Sequence, residues 1–112
     1  MNTRPNNSTI SFKAKDQQYL DQRTVDNLGK ELDGVANSNL GCDLNLDMAE
    51  VHFMASTLLH HFIRVDKKLK RDNGKLILSN VRACINEVFR MTNLHRVLTI
   101  HQMTPEQESA NP

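Results

Sequence analysis

Ser56 is the side chain whose type and position most invite chemistry. It stands just ahead of Leu58, Phe62, Val65 and Leu69, spaced 4, 3 and 4 apart, with Leu59 and Ile63 widening the stripe. That spacing predicts one helix over Thr57 to Arg71, with Asn73-Gly74 ending it and Gly74 supplying a left-handed C-cap. A hydroxyl at the start of such a helix is an N-cap candidate, because its oxygen can accept from a free backbone N–H of the first turn. The same helix end carries partial positive charge and unpaired donors, so it tolerates an added phosphate. Phosphorylation would bring about −1.5 to −2 charges to that spot. The uncharged neighbours Ala55, Thr57 and Leu58 would leave the new charge dominant. Two uses of the hydroxyl stand side by side: a plain helix cap, or a phosphate acceptor that gates docking.

Other reactive side chains are less well arranged. His60 and His61 are adjacent, with His52 upstream. Neighbouring helical residues point about 100° apart, and no acid or cysteine has matching spacing, so solvated or half-buried histidines are expected rather than a metal site. A hydrolase or transferase using Ser56 with His52 or His60 is the catalytic alternative. No Ser/His/Asp arrangement, phosphate-binding loop or dinucleotide fingerprint supports it, and the chain reads as non-enzymatic. Asp43 and Asp47 would lie about 13 Å apart along a strand, too far for a catalytic dyad. Asp47 is instead placed to hydrogen-bond the turn that presents Ser56. Cys42 and Cys84 form no CxxC pair and read as buried or idle thiols in a reducing compartment. Arg64, Lys67, Lys68, Lys70 and Arg71 make a basic helix end, tempered by Asp66 and Asp72. They complement the helix dipole, or form an electrostatic patch for an acidic partner.

The elements that must hold Ser56 alternate along the chain. Thr9 to Lys13 alternates as a half-exposed strand does. Val25, Leu28, Leu32 and Val35 line one helix face, with Asp21 as N-cap and Gly34 where a helix stop is expected. Cys42 to Met48 again alternates. Lys75 to Ser79 is a compact strand, Val81, Ile85, Val88 and Phe89 mark a further helix, and Val97 to Ile100 a last strand. This order predicts an α/β fold: a small, mostly parallel four-stranded sheet with about three helices, mainly on one face. One domain is expected over residues 9–102, flanked by disordered polar tails at 1–8 and 103–112.

Composition narrows the function. The 112 residues carry a formal charge of +1, with four Phe, one Tyr and no Trp. A nucleic-acid binder normally shows a basic excess and aromatic stacking platforms, and neither is present. No apolar run approaches the roughly 20 residues that cross a bilayer, and the N-terminus has no secretory h-region, so a cytoplasmic protein without membrane contact is expected.

Leu44-Asn45-Leu46-Asp47, followed by Val51 to Leu59, resembles the central signature of the STAS domain, a family that includes the bacterial anti-sigma-factor antagonists. That signature is a hydrophobic strand ending in Asp, a short turn, an apolar pair, then Asp-Ser-Ser-Gly-Leu opening a helix. Asp72 to Asn80 is similar to the family's Gly-Gly-x-Leu-x-Leu strand entry, and Val81 to Leu98 to its last helix and strand. Ser56 falls on the phospho-acceptor position. The chain departs from the pattern at Ala55, Thr57 and Leu58, where the family has Asp, Ser and Gly. The resemblance implies a regulatory module that binds an anti-sigma factor with serine kinase activity. Phosphorylation of Ser56 would switch binding off, and a cognate phosphatase would restore it. Contact would run through Met54, Ala55, Ser56, Thr57, Leu58 and Leu59. The ATP belongs to the partner, so no cofactor is needed. The alternative within the family is a non-phosphorylated scaffold or homodimer-forming module, with Leu58 at the position where glycine would allow close approach.

Overall fold

The computed structural model describes residues 9–14 and 21–104. The expected tail at 1–8, and residues 105–112 of the one expected at 103–112, lie outside them. The described elements are β1 (Thr9–Lys13), α1 (Gln22–Ser38), β2 (Asp43–Asp47), α2 (Leu58–Lys70), β3 (Leu76–Val81), α3 (Ala83–Met91), a 3-10 turn (Leu94–Arg96) and β4 (Thr99–Gln102). The strands form one sheet in the order β1-β2-β3-β4, and every neighbouring pair is parallel. Parallel neighbours need a crossover, and a right-handed crossover repeated in one direction returns each helix to the same face.

Register shows how the sequence serves that arrangement. Ile10, Leu44 and Leu76 are aligned across three strands, and Phe12, Leu46, Leu78 and Ile100 across four. These rows face the helices and enter the core with Val25, Leu28 and Leu32 of α1, Phe62, Val65 and Leu69 of α2, and Ile85 and Phe89 of α3. The Phe62 and Phe89 rings stack at 6.2 Å and join α2 to α3. The opposite face carries the row Ser11, Asn45, Ile77 and Thr99, none of them buried. The expected parallel sheet with helices on one face is therefore the fold. No helix among the described residues is long and apolar enough to cross a membrane.

Between α1 and α2 the helices approach closely. A methyl group on Gly29 would collide with the His61 ring. Arg64 donates to Asp33 at 2.8 Å and Lys68 pairs with the same carboxylate at 3.5 Å. On α2, Asp66 is 1% exposed, accepts from the Leu76 amide at 3.0 Å and pairs with Lys70 at 2.9 Å. That bond fastens the helix to the start of β3.

Several boundaries differ from the sequence reading for identifiable reasons. Asp21 does cap α1, its carboxylate accepting from the Thr24 amide at 2.8 Å. Gly34 does not end the helix, which runs on to Ser38 because Ala36 still packs into the core. Gly34 sits on the exposed side, where glycine costs only about 1 kcal/mol relative to alanine. Val81 belongs to β3 rather than to α3. Asn80 takes a left-handed conformation (φ 53) and bulges the strand end, so Ser79 and Asn80 both stay off the core face and Val81 turns in. The last strand starts at Thr99, two residues later than expected, because Leu94–Arg96 forms the 3-10 turn. Met103, assigned to the tail, is buried and donates its amide to Val81 at 2.7 Å. Cys42 is half-buried but Cys84 is exposed, and both thiols are free.

The end of α2 carries the sharpest correction. The left-handed residue is Asn73 (φ 69), not Gly74. Gly74 closes the turn by donating to the Leu69 carbonyl at 2.9 Å. Its lack of a side chain is needed because a Cβ there would run into the carbonyl oxygen of Cys42. Backbone cannot yield as a flexible side chain can. Gly74→Ala is therefore expected to destabilise the fold by about 1–3 kcal/mol, read from the urea midpoint. Asn73→Gly should stay near wild type, since the left-handed position suits glycine.

Candidate functional site

The segment from Met48 to Thr57 leaves the C-terminal end of β2 and enters α2, and it carries Ser56. Ligand and partner sites of open parallel sheets gather at this edge, where strands end and helices begin. The loop is held on both sides. Toward β1, Lys13 reaches Glu50 at 3.8 Å, and the Ala14 amide donates to the Asp47 carbonyl at 3.0 Å. Toward β3, the Met48 amide donates to the Ser79 carbonyl at 2.9 Å. Asp47 is the centre of the fastening. Its Oδ1 accepts from the Ala49 amide at 2.9 Å and from the Asn80 amide nitrogen at 3.1 Å. This is the turn-holding role expected of Asp47. Asp43 sits at the other end of β2, so the two carboxylates do not combine.

Two fasteners carried no signal in the sequence. Arg82 is 5% exposed and donates through Nε to the Ala49 carbonyl at 2.9 Å. The Cys84 thiol lies 3.6 Å from the His52 carbonyl. Both sit at the junction of β3 and α3, so α3 is tied to the Ser56 loop from its first turn. Asn80 did leave a trace: asparagine is the residue that most readily takes a left-handed conformation after glycine.

Ser56 is exposed, one residue ahead of the helix cap. It is not the N-cap. That position belongs to Thr57, whose helical backbone (φ −62, ψ −23) carries no side-chain capping bond. The amides of Leu58, Leu59 and His60 donate back to the carbonyls of Ala55, Ser56 and Thr57 at 3.0, 3.0 and 3.2 Å. The turn thus tightens before the helix proper and uses the donors that the Ser56 hydroxyl was expected to meet. The first turn of α2 holds no acidic residue. Met54 and Ala55 are half-exposed, and Thr57 is exposed.

The remaining two residues of the expected contact surface are not at the surface. Leu58 is 0% and Leu59 6% exposed, and both belong to the core. They begin the apolar stripe of α2, and the stripe faces the sheet. Leu58 also cannot govern how closely another chain approaches, as the scaffold alternative required. Phe53 was read only as part of an apolar run, yet it is 56% exposed on the same loop. His52 is half-buried and His60 exposed, and among the described residues no hydrogen bond joins either ring to Ser56. No cluster of three or more metal-ligating side chains occurs among the described residues.

If Asp47 centres the fastening, Asp47→Ala should lower stability by about 1–3 kcal/mol, the range for orphaning partly buried donors. Amide exchange should quicken across Ala49 to Ser56 while the β2 and β3 ladders keep their protection. Unchanged exchange in the loop would remove Asp47 from that role.

The family model described as STAS domain matches residues 11–107. Among curated proteins, none matches significantly. Solved structures that share the fold include the following two. One is a Thermotoga maritima protein assigned as an anti-sigma factor antagonist, 18% identical, with a TM-score of 0.69 over 90% of this chain and 86% of that one. The other is an anti-sigma-factor antagonist (STAS) domain protein from Planctomyces limnophilus, 20% identical, with a TM-score of 0.70 over 91% and 87%. With the matched family model spanning nearly all of the chain, from β1 past β4, this protein belongs to the STAS domain family.

Proposed function

We propose that this protein is a regulator of the anti-sigma-factor-antagonist kind, without catalytic activity of its own. It docks through the Ser56 end of the domain onto an anti-sigma factor that is also a serine kinase. Docking frees the sigma factor. The kinase then transfers the terminal phosphoryl group of ATP to the Ser56 oxygen, leaving ADP, and the antagonist is released. A phosphatase removes the group and resets the switch. The protein acts in the cytoplasm, where such a partner and its ATP are found.

One observation carries this reading: the Ser56 hydroxyl stands in solvent on a loop that is fastened from both sides. A kinase needs an accessible acceptor, and a docking surface needs a fixed shape. The names of the two structural neighbours agree with the direction of the proposal. The docking surface is Phe53, Met54, Ala55, Ser56 and Thr57, a small uncharged patch of apolar side chains and two hydroxyls. No acidic or basic side chain occupies the first helical turn apart from His60 and His61. An added phosphate would sit at the positive end of α2, which tolerates it, so the fold survives. The same phosphate would have to be stripped of water against an apolar partner surface, which is costly.

Incubation with the cognate kinase and ATP should yield a single phosphopeptide, and it should carry Ser56. Ser56→Asp should weaken partner binding by tenfold or more, about 1.4 kcal/mol, at an unchanged unfolding midpoint. Ser56→Ala should keep binding and refuse phosphate. A phosphorylated chain that still binds as the unmodified one does would sink the switch. A Ser-reactive probe that labels Ser56 would instead favour a nucleophilic enzyme.

A further inference from the structure

The pole of the domain opposite Ser56 gathers cations. In this winding the helices run back against the strands, so their C-termini meet the strand beginnings; Gly74, just past α2, touches Cys42, just before β2. Lys67, Lys68, Lys70 and Arg71 come from the end of α2, Arg90 from the last turn of α3, and His95 and Arg96 from the 3-10 turn. Lys70 donates to the Val97 carbonyl at 3.2 Å, which brings the end of α2 against the end of the 3-10 turn. These groups therefore gather at one pole of the domain.

Some of the charge is already used inside the fold. Lys68 pairs with Asp33 and Lys70 with Asp66. Lys67, Arg71, Arg90 and Arg96 are exposed and make no ion pair among the described residues. Beside them stand Met91, 81% exposed, and Val97, 45% exposed. Complementing helix dipoles accounts for cations in the last turns of α2 and α3. It gives no reason for leaving a thioether and an isopropyl group in water between them. Arginine and methionine together are side chains favoured in protein interfaces. The chain is nearly neutral overall, at +1, yet places these exposed cations at one end.

We infer that this pole is a second docking surface, for an acidic segment of a partner protein that also carries apolar side chains. The carboxylates would meet Lys67, Arg71, Arg90 and Arg96, and the apolar groups would cover Met91 and Val97. The chemistry disfavours nucleic acid, because the patch holds no Phe, Tyr or Trp ring to stack a base. Two apolar side chains are also a poor anchor for a bilayer. The α2 helix spans about 20 Å, roughly two screening lengths at physiological salt. Phosphate at Ser56 would therefore leave this surface unaffected, and the inference does not depend on the switch.

The test titrates the full chain, labelled for amide NMR, with a short synthetic amphipathic peptide of glutamate and leucine. Amide shifts should concentrate in Lys67 to Asp72 and Arg90 to Leu98. The double change Lys67→Glu with Arg71→Glu should weaken binding by about tenfold or more, since like charges now face each other. Arg96→Glu alone should weaken it less, and Met91→Ser should weaken it without altering the salt dependence. These side chains are exposed, and the amide spectrum of each variant reports whether the fold persists. A peptide with glutamine in place of glutamate should fail to bind. Shifts centred on Met48 to Thr57 would overturn the proposal, as would no shift at all. Equal or tighter binding of single-stranded DNA, or of phosphatidylserine-containing vesicles, would also overturn it.

Discussion

The one-way winding of the sheet is the constraint from which the rest follows. Four parallel strands laid down in sequence order must be joined by crossovers, and the usual right hand of such connections leaves the helices on one side. Only one face of the sheet can then be dry. Parallel sheets elsewhere are usually covered on both faces and their strands are apolar throughout. Here the strands alternate, as in Asp43-Leu44-Asn45-Leu46-Asp47, because the second face must live with water. The apolar rows Ile10-Leu44-Leu76 and Phe12-Leu46-Leu78-Ile100 are the price of admission to this topology.

The same winding divides the domain into two ends with different chemistry. Strands finish and helices begin at one end, so loops there are flanked by backbone donors and by the positive ends of dipoles. The loop after β2 is built at that end, and its shape comes from the next strand rather than from itself. Asn80 gives up regular strand geometry, which costs on the order of 1 kcal/mol for a non-glycine residue. In return its side chain reaches Asp47 and the register shift turns Val81 inward. One local distortion thus serves the core and the loop together. Arg82, two residues on, adds its bond to Ala49.

Most of the architecture could be read in advance because burial follows simple periods. The alternation of β1 and β2, the 3-and-4 spacing of α2 and the Asp21 cap all reflect local physics that the chain states residue by residue. What escaped depends on contacts between elements. Leu58 and Leu59 looked like part of a presenting loop, and only the orientation of α2 against the sheet assigns them to the core. Gly74 looked like a cap, and its necessity lies in a carbonyl thirty-two positions earlier in the chain, on Cys42. Val81 fitted a helical stripe with Ile85 and Val88, because a bulge shifts strand phase in a way that mimics the helical period. For the site, Ser56 and Asp47 were legible from type and position. Arg82, Cys84 and the exposed Phe53 were not, since nothing local tells which backbone group a side chain will find or which side of a loop faces water.

The close approach of α1 and α2 has its own consequence. Arginine can only donate, so Arg64, 3.0 Å from Nδ1 of His61, fixes that nitrogen as an acceptor and leaves the ring hydrogen on Nε2, toward Asp26 at 3.4 Å. The imidazole lies flush over Gly29 with no room for a methyl group. It works as a shim whose thickness sets the gap between two rods. Any wedge driven into that gap would tilt the second rod, and the tip of that rod is where Ser56 meets the outside world.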